Sequence, residues 1–376
     1  MPPRTWTAAG WILAALSILY AAVVIPIGFH KGTDFEIHVQ AAQDLLAHQP
    51  LFTETPKVGV WWPPFAILAL TPFALVARLS LDLAKVAFTL LSVACVAWSI
   101  ARFGPGDRTR LALAVAAVAV PLQINFDYLN INAVLLALVV AAGFDLAGRR
   151  DARAGVWLGL ATALKVFPGL LLLFAAYRRR WWAAATGASL ALALSVCALL
   201  PLGVPGALAS GRAWLANSST GVWTLHRRNQ SLPGLLGRAG VPHLEVIVID
   251  LLLLVLTALA LQRSTPDDDI VHDVGIVTLL AVLLSPIAWD HYYLLVLPAW
   301  VAVLSRAPAA RPRRSRTVLV ALVAAGVATS GVLLVGTTYL RGVLLENSIL
   351  AWGGVVLLLV LLAERFRRPA PLLQSA

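Results

Sequence analysis

The sequence predicts an all-α, polytopic transmembrane helical bundle, and three observations carry that prediction. First, 60% of the 376 residues are hydrophobic and only 12% are charged, with a mean hydropathy of +0.84. A charged fraction this low leaves lipid as the natural solvent. Second, no polar stretch is longer than about 40 residues, so a separate soluble domain has no room. Third, the apolar runs are divided by short arginine-rich connectors. At about 20 residues per span plus connectors, the length predicts roughly ten to twelve spans, short hairpins included. The whole chain, 1–376, reads as a single integral membrane domain.

The formal net charge is +11. The basic residues lie in short runs between apolar segments, a distribution that argues against nucleic-acid binding. Cys95 and Cys197 sit inside apolar runs and read as small core residues, with no metal or redox pattern. The first apolar run, about Ala8 to Ile27, lacks a small-residue cleavage site before His30. It reads as a retained first span rather than a removed signal peptide.

Lys and Arg in short loops favour the cytoplasmic side. Basic connectors occur at Arg4, Arg102–Arg110, Arg149–Arg153, Arg178–Arg180, Arg263, Arg306–Arg316 and Arg365–Arg368, holding 19 of the 29 basic residues. Placing all of them inside puts both termini in the cytoplasm of a multi-pass plasma-membrane protein. The Arg311–Arg316 stretch then lies near anionic lipid head groups.

The same rule fixes the elements in order. After the first span comes an outer loop, 28–62. The segment Trp61–Ala77, opening with Pro63 and Pro64, reads as re-entrant or partly spanning, and Leu83–Ile100 returns inward. Leu111–Ala147 forms a hairpin with its tip at Leu122–Asn132. Ala154–Tyr177 forms a hairpin of two short helices, tip near Lys165–Pro168, plausible only among other helices because it is too short to cross twice in lipid contact. Trp181–Pro201 pairs with His243–Leu261 across a second outer loop, 203–242. Val271–Leu284 pairs with Tyr292–Leu304, and Thr317–Gly336 with Ile349–Ala363.

This orientation gathers the unusual polar residues on one side. Asp34, Glu36 and His38 follow the first span; Asn130 and Asn132 occupy one tip and Lys165 another. His226, Arg227, Arg228, Asn229 and Gln230 lie in the longest loop, and Trp289, Asp290 and His291 between two spans. A transport pathway would spread polar groups through the bilayer depth, whereas an active site at the surface gathers them at one face, here the outer one.

Each candidate has a chemistry and a plainer alternative. A carboxylate beside apolar surface at the membrane edge, such as Asp34, suits a general base, or is a solvated loop acid. Trp61 and Trp62 are interfacial anchors or a stacking wall for a sugar or lipid head group. Lys165, inside an apolar hairpin, is a costly intramembrane cation whose natural partner is a phosphate, unless it snorkels. Arg227 and Arg228 offer forks for phosphate, and Asn229 and Gln230 read hydroxyls, or the run is a solvated turn. Trp289, Asp290 and His291 bind a sugar or orient a catalytic group, or are structural. No nucleotide-binding glycine loop, Walker lysine, paired Cys or HExxH is present, so an activated substrate must arrive already in the membrane.

Taken together these motifs resemble the polyprenyl-phosphate-sugar-dependent glycosyltransferases of the GT-C fold, and most closely glycosyltransferase family 87. The resemblance runs from Asp34 to Ser285–His291. Asp34 matches the family's acidic residue in the first outer loop, and Trp61-Trp62-Pro63-Pro64 an aromatic-Pro-Pro motif. Lys165 with Pro168 matches Lys-x-x-Pro, Asn229-Gln230-Ser231 matches Asn-Gln-Ser, and Ser285–His291 matches Ser-Pro-x-x-Trp-x-His. One departure stands out. Where the family commonly has Gly-Gln-x-Asn, this chain reads Leu129-Asn130-Ile131-Asn132.

The resemblance implies an inverting glycosyltransferase whose donor is a polyprenyl-phosphate sugar, most simply mannose. The acceptor is a glycolipid or lipoglycan on the outer face. It makes Asp34 the base and Lys165, Arg227 and Arg228 the donor-phosphate ligands. Trp61, Trp62, Asn130, Asn132, Asn229, Gln230, Trp289, Asp290 and His291 become substrate contacts. No cofactor and no metal are expected, since the lipid-linked sugar is a co-substrate. The alternatives are arabinofuranosyl transfer from the equivalent donor, a transporter or flippase for a lipid-linked substrate, and a structural assembly partner. A transporter predicts inverted repeats, and none is convincing here.

Overall fold

The computed structural model describes residues 30–52, 62–103, 108–219, 224–264, 269–305 and 315–367, with isolated helical positions Trp11, Ala15, Leu19, Ala22 and Pro26 before them. Most of the first apolar run, Trp61 and most of the Arg306–Arg316 connector lie outside the described residues. The described chain is helical, with an isolated bridge between Asn229 and Trp289 and no named strand.

Four segments among the described residues are long and apolar enough to cross a membrane: Leu81–Arg102, Trp181–Ser218, His243–Leu261 and Ile349–Phe366. Arg108–Ala116 with Ala119–Tyr128 makes a fifth if the bent pair is one span. Five shorter apolar helices accompany them, including Asn132–Ala147, Ile270–Leu284 and Arg316–Thr329. Such short helices are tolerated at membrane depth where neighbouring protein covers them.

The chain divides into two compact units. In the unit formed by Ala22–Ser99 and Gln123–Val222, the region expected as the first outer loop contains a helix, Thr33–Leu46. This corrects the loop assignment, and the reason is periodicity. Phe35, His38, Val39, Ala42 and Leu45 recur at three- and four-residue spacing, and all are buried on one face. The face is pinned by an aromatic trio, with Phe35 packed 4.8 Å from Phe88 and 6.0 Å from Phe73, ring centre to ring centre. Beyond Pro63 the expected re-entrant segment is two short helices, Pro64–Ala69 and Thr71–Ala77, each opening with an early proline.

The hairpin expected around Lys165 is present as Asp151–Leu164 and Leu170–Tyr177, with the 3₁₀ turn Phe167–Gly169 between them. Asp151–Leu164 lies tight against Trp181–Cys197. A Cβ on Gly155 would sit 2.6 Å from the Ala183 carbonyl oxygen, and one on Gly159 would sit 2.8 Å from that of Gly187. Small residues four apart let the two backbones approach closely, as in membrane helix pairs. The region expected as the second outer loop is also largely helical. Gly203–Ser219 extends the apolar run, and Leu232–Arg238 starts at Ser231, whose Oγ accepts from the Gly234 amide. Cys197, expected in a core, is exposed, and Cys95 is half-buried.

The other unit comprises Met1–Ala21, Ile100–Leu122 and Trp223–Ala376. Its helices are joined by buried polar links. Trp300 Nε1 donates to Thr329 Oγ1 at 3.0 Å, and that hydroxyl donates to the Ala117 carbonyl at 2.9 Å. Arg365, fully buried near the end of Ile349–Phe366, binds Asp273 at 2.6 Å and Asp269 at 3.0 Å. Breaking such a buried pair strands a charge and costs about 3–5 kcal/mol. It therefore latches the last helix to the start of Ile270–Leu284.

Candidate functional site

The first polar cluster lies within the unit that carries Asp34. Gly32 takes φ +44° just before the helix Thr33–Leu46, and its amide donates to the Asp127 carbonyl at 3.0 Å. A Cβ at Gly32 would meet Leu129 Cδ1 and Lys85 Cε, each at 3.1 Å. The left-handed conformation favours glycine, and a Cβ would also make these two side chains give by a few tenths of an ångström. With Gly32 fixed and Phe35 buried, Asp34 is held half-buried in the helix's first turn.

Lys165 ends its helix in an extended conformation, φ −149° and ψ 135°, so its side chain leaves the helical direction. It is 4% exposed. Its Nζ donates to Asn130 Oδ1 at 3.2 Å and to Asn132 Oδ1 at 2.9 Å. Asn130 in turn donates from Nδ2 to Asp34 Oδ2 at 2.7 Å. One amide thus has the carboxylate on its nitrogen side and the ammonium on its oxygen side. Trp62, 6% exposed, has its ring centre 5.7 Å from Lys165 Nζ, within cation–π range. The turn that brings Asn130 here is strained at Leu129, a non-glycine residue at φ +49°.

Two members of this neighbourhood escaped the sequence-level site assignment. Lys85, 4% exposed within the span Leu81–Arg102, pairs with Glu36 at 2.5 Å. The signal was present, since a lysine inside an apolar run is a functional hypothesis by default. His38 is one helical turn after Asp34, and only the helix reveals that they share a side. Its Nδ1 donates to the Asp34 carbonyl at 2.6 Å, and its ring stacks on Trp62 at 3.8 Å and 18°. Burial pushes its pKa down to about 4, so it is neutral near pH 7.

The second cluster lies within the other unit. Arg228 forks onto Asp290, with Nε to Oδ2 at 3.1 Å and Nη2 to Oδ1 and Oδ2 at 2.8 Å each. Asp290 is fully buried, opens the 3₁₀ helix Asp290–Val296, and also accepts from the His291 amide at 3.1 Å. Arg228 therefore already carries a counter-ion, and Arg227, exposed, is the cation on offer to an anion. His226 packs edge-on to half-buried Trp289 at 5.3 Å. Burial and the arginines Arg228, Arg227 and Arg238 lower its pKa.

Asn229 and Gln230 are fully buried, and their hydrogen bonds go to backbone groups. Asn229 Nδ2 donates to the carbonyls of Thr224 and Pro286 at 2.9 Å each. Its Oδ1 accepts from the amides of Ala288 at 2.8 Å and Ser231 at 3.2 Å. That is the full capacity of a carboxamide. Gln230 Nε2 donates to the carbonyls of Arg227 and Leu345 at 2.9 Å each, and its Oε1 accepts from the Leu350 amide. Tyr293 closes the arrangement by donating to the Gln230 carbonyl at 2.7 Å. In this structure the Asn-Gln-Ser run braces the loop against the segment 286–288 and the start of the last helix.

The structure thus brings Asp34, Trp62, Asn130, Asn132 and Lys165 together. It separately groups Arg228, Asn229, Gln230, Trp289, Asp290 and His291, with Arg227 at the edge of that group. Among the described residues no three His, Cys, Asp or Glu side chains form a metal-ligand group. The first cluster offers a carboxylate, an ammonium, two amides and an aromatic face, which suits taking a proton from a hydroxyl beside a bound anion.

A family model described as glycosyltransferase family 87 matches residues 61–286. A polyprenol-phosphate-mannose-dependent alpha-(1-2)-phosphatidylinositol mannoside mannosyltransferase of Mycobacterium tuberculosis is 28% identical over 335 residues, 78% of this chain and 75% of the relative. The Mycolicibacterium smegmatis protein of the same description is 31% identical over 71% of this chain and 66% of its own length. A pentamannoside mannosyltransferase of M. smegmatis is 27% identical over 76% of this chain and 72% of its own length. Among solved structures, apo ArnT from Cupriavidus metallidurans is similar with a TM-score of 0.43 and 14% identity, over 94% of this chain and 77% of ArnT.

Proposed function

The chain belongs to glycosyltransferase family 87, and from that premise we propose that it is a multi-pass membrane mannosyltransferase. It moves mannose from a polyprenyl-phosphate donor to a glycolipid of the phosphatidylinositol mannoside class. The observation that carries this reading is the chain of contacts from Asp34 through Asn130 to Lys165 and Asn132. The curated relatives support the sugar and the lipid classes, since all three are named for this donor and this type of acceptor.

In this scheme the Asp34 carboxylate takes the proton of an acceptor hydroxyl as its oxygen attacks the anomeric carbon of mannose. The bond from that carbon to the phosphate oxygen breaks, and polyprenyl phosphate leaves with the electron pair and one further negative charge. Lys165 meets that developing charge in a water-poor site, where a preorganised cation acts most strongly. A single displacement of this kind inverts the anomeric centre. Asn130 keeps base and cation at a fixed separation, and Trp62 supplies an aromatic face for the sugar or head group. In the other unit Arg228 is held by Asp290, and Arg227 is an exposed cation. The arginine distribution supports cytoplasmic termini and an active site on the opposite face.

The test is transfer of radiolabel from polyprenyl-phosphate mannose into endogenous lipid by membranes containing the wild-type protein. Labelled glycolipid is expected. Transfer from the arabinofuranosyl donor alone would keep the enzyme class and change the sugar. Transfer from neither donor would overturn the reading.

A further inference from the structure

We infer that His38 is a binding residue of this site, its Nε2 accepting a hydrogen bond from a sugar hydroxyl of one of the two substrates. The inference rests on the glycosyl-transfer reading above and extends it to a residue to which neither the resemblance nor the family match gives a role.

The tautomer follows from the geometry. Nδ1 lies 2.6 Å from the Asp34 carbonyl oxygen, which can only accept, so the proton is on Nδ1. Nε2 therefore presents a lone pair. That atom is buried and has no hydrogen-bond partner, on a residue only 2% exposed. Buried polar groups are nearly always paired, so an orphan of this kind calls for a missing partner.

The ring has no freedom to find one elsewhere. It is clamped by its stack on Trp62 and by its bond back to Asp34. Both clamping residues, and Lys165 beyond Trp62, belong to the cluster assigned to substrate. The orphan nitrogen is thus fixed on a ring that borders the cluster assigned to substrate.

The chemistry selects the ligand class. A lone pair needs a donor, which excludes a phosphate or carboxylate oxygen and selects a hydroxyl. A proton-relay role fits less well. Burial makes the ring a weak base, and its Nδ1 proton is directed to a backbone carbonyl rather than to a carboxylate.

The experiment uses the purified full-length protein in lipid nanodiscs, with polyprenyl-phosphate mannose and a phosphatidylinositol mannoside acceptor. Donors with single deoxy positions on the mannose serve as probes. His38→Phe retains an aromatic ring to stack on Trp62 and removes the acceptor. His38→Gln keeps an acceptor at comparable reach. The expected result is a fall in kcat/KM of about 10-fold or more for His38→Phe, carried mainly by KM, with partial recovery in His38→Gln.

A rise confined to the donor KM, with one deoxy donor no longer discriminated by His38→Phe, places the hydroxyl on the donor. A rise confined to the acceptor KM places it on the acceptor. Wild-type kcat/KM in His38→Phe overturns the inference. So does an equal loss in both variants, which shows that restoring an acceptor restores nothing. If His38→Phe fails to fold, His38→Gln decides, since a folded glutamine variant without activity removes the acceptor role. Absence of transfer by the wild type overturns the underlying reading, and this inference with it.

Discussion

The carboxylate of Asp34 and the ammonium of Lys165 are joined through one side chain. Asn130 donates to Asp34 Oδ2 at 2.7 Å and accepts from Lys165 Nζ at 3.2 Å. The two charges attract one another across this amide. The amide thus sets the carboxylate and the ammonium on its two ends. Five expectations follow from the two clusters and their supports.

Lys165→Met removes the cation and fills its volume with an apolar chain. It also takes the Lys165 donor away from the buried Asn130 and Asn132 carboxamide oxygens, and each such loss costs about 1–3 kcal/mol. The melting temperature is therefore expected to fall, and kcat/KM per folded molecule to fall by about 10²- to 10³-fold besides. Loss of stability with activity intact would assign Lys165 to the scaffold.

Gly32→Ala forces a Cβ into a left-handed turn, between Leu129 Cδ1 and Lys85 Cε. The backbone alone costs about 1–2 kcal/mol. The variant is expected to melt lower and to lose activity beyond its loss of folded protein, because Asp34 is two residues away. Activity per folded molecule, with folded protein quantified by size-exclusion chromatography, checks this.

Asn229→Leu distinguishes a brace from a sugar contact. It leaves two backbone carbonyls and two backbone amides without their partner. Each buried orphan costs about 1–3 kcal/mol, so several kcal/mol are lost in total. The expected outcome is a steep drop in folded yield, with donor KM unchanged in what folds. A stable variant with a raised KM would return Asn229 to the substrate contacts.

His38 sets an acid limit. Its folded pKa of about 4 lies below the ordinary 6.5, so between those values the unfolded chain binds a proton that the folded one does not. Stability is fully present above pH 6.5 and declines as pH falls toward 4, by up to about 3 kcal/mol. Melting curves from pH 7 to pH 4 are expected to slope for the wild type. They should flatten in that window for His38→Phe.

Much of the first cluster was legible before the structure. Lys165 announced itself as a cation in an apolar hairpin, and that hairpin has the expected two short helices. Asn130 and Asn132 were marked by polarity at a tip, but that they hold Lys165 depends on a turn through left-handed Leu129, which residue type does not show. The helix Thr33–Leu46 was hidden because the whole segment was read as loop from its polarity, although Phe35, His38, Val39, Ala42 and Leu45 carry a helical period. Lys85 resembled Lys165 in sequence and was passed over among its apolar neighbours. Asn229 and Gln230 illustrate a different limit. The residue types that read hydroxyls also brace backbones, and only saturation of their hydrogen bonds separates the two roles.

The measurement that bears most directly on the account is mannose transfer by the purified wild type and by Asp34→Asn, at matched amounts of folded protein. The asparagine keeps the shape of Asp34 and an acceptor for Asn130, but it cannot take a proton. A fall of about 10²- to 10⁴-fold in kcat with donor KM little changed is the predicted result. Equal rates in the two proteins would remove Asp34 as the base and leave the Asp34–Asn130–Lys165 chain without its catalytic role.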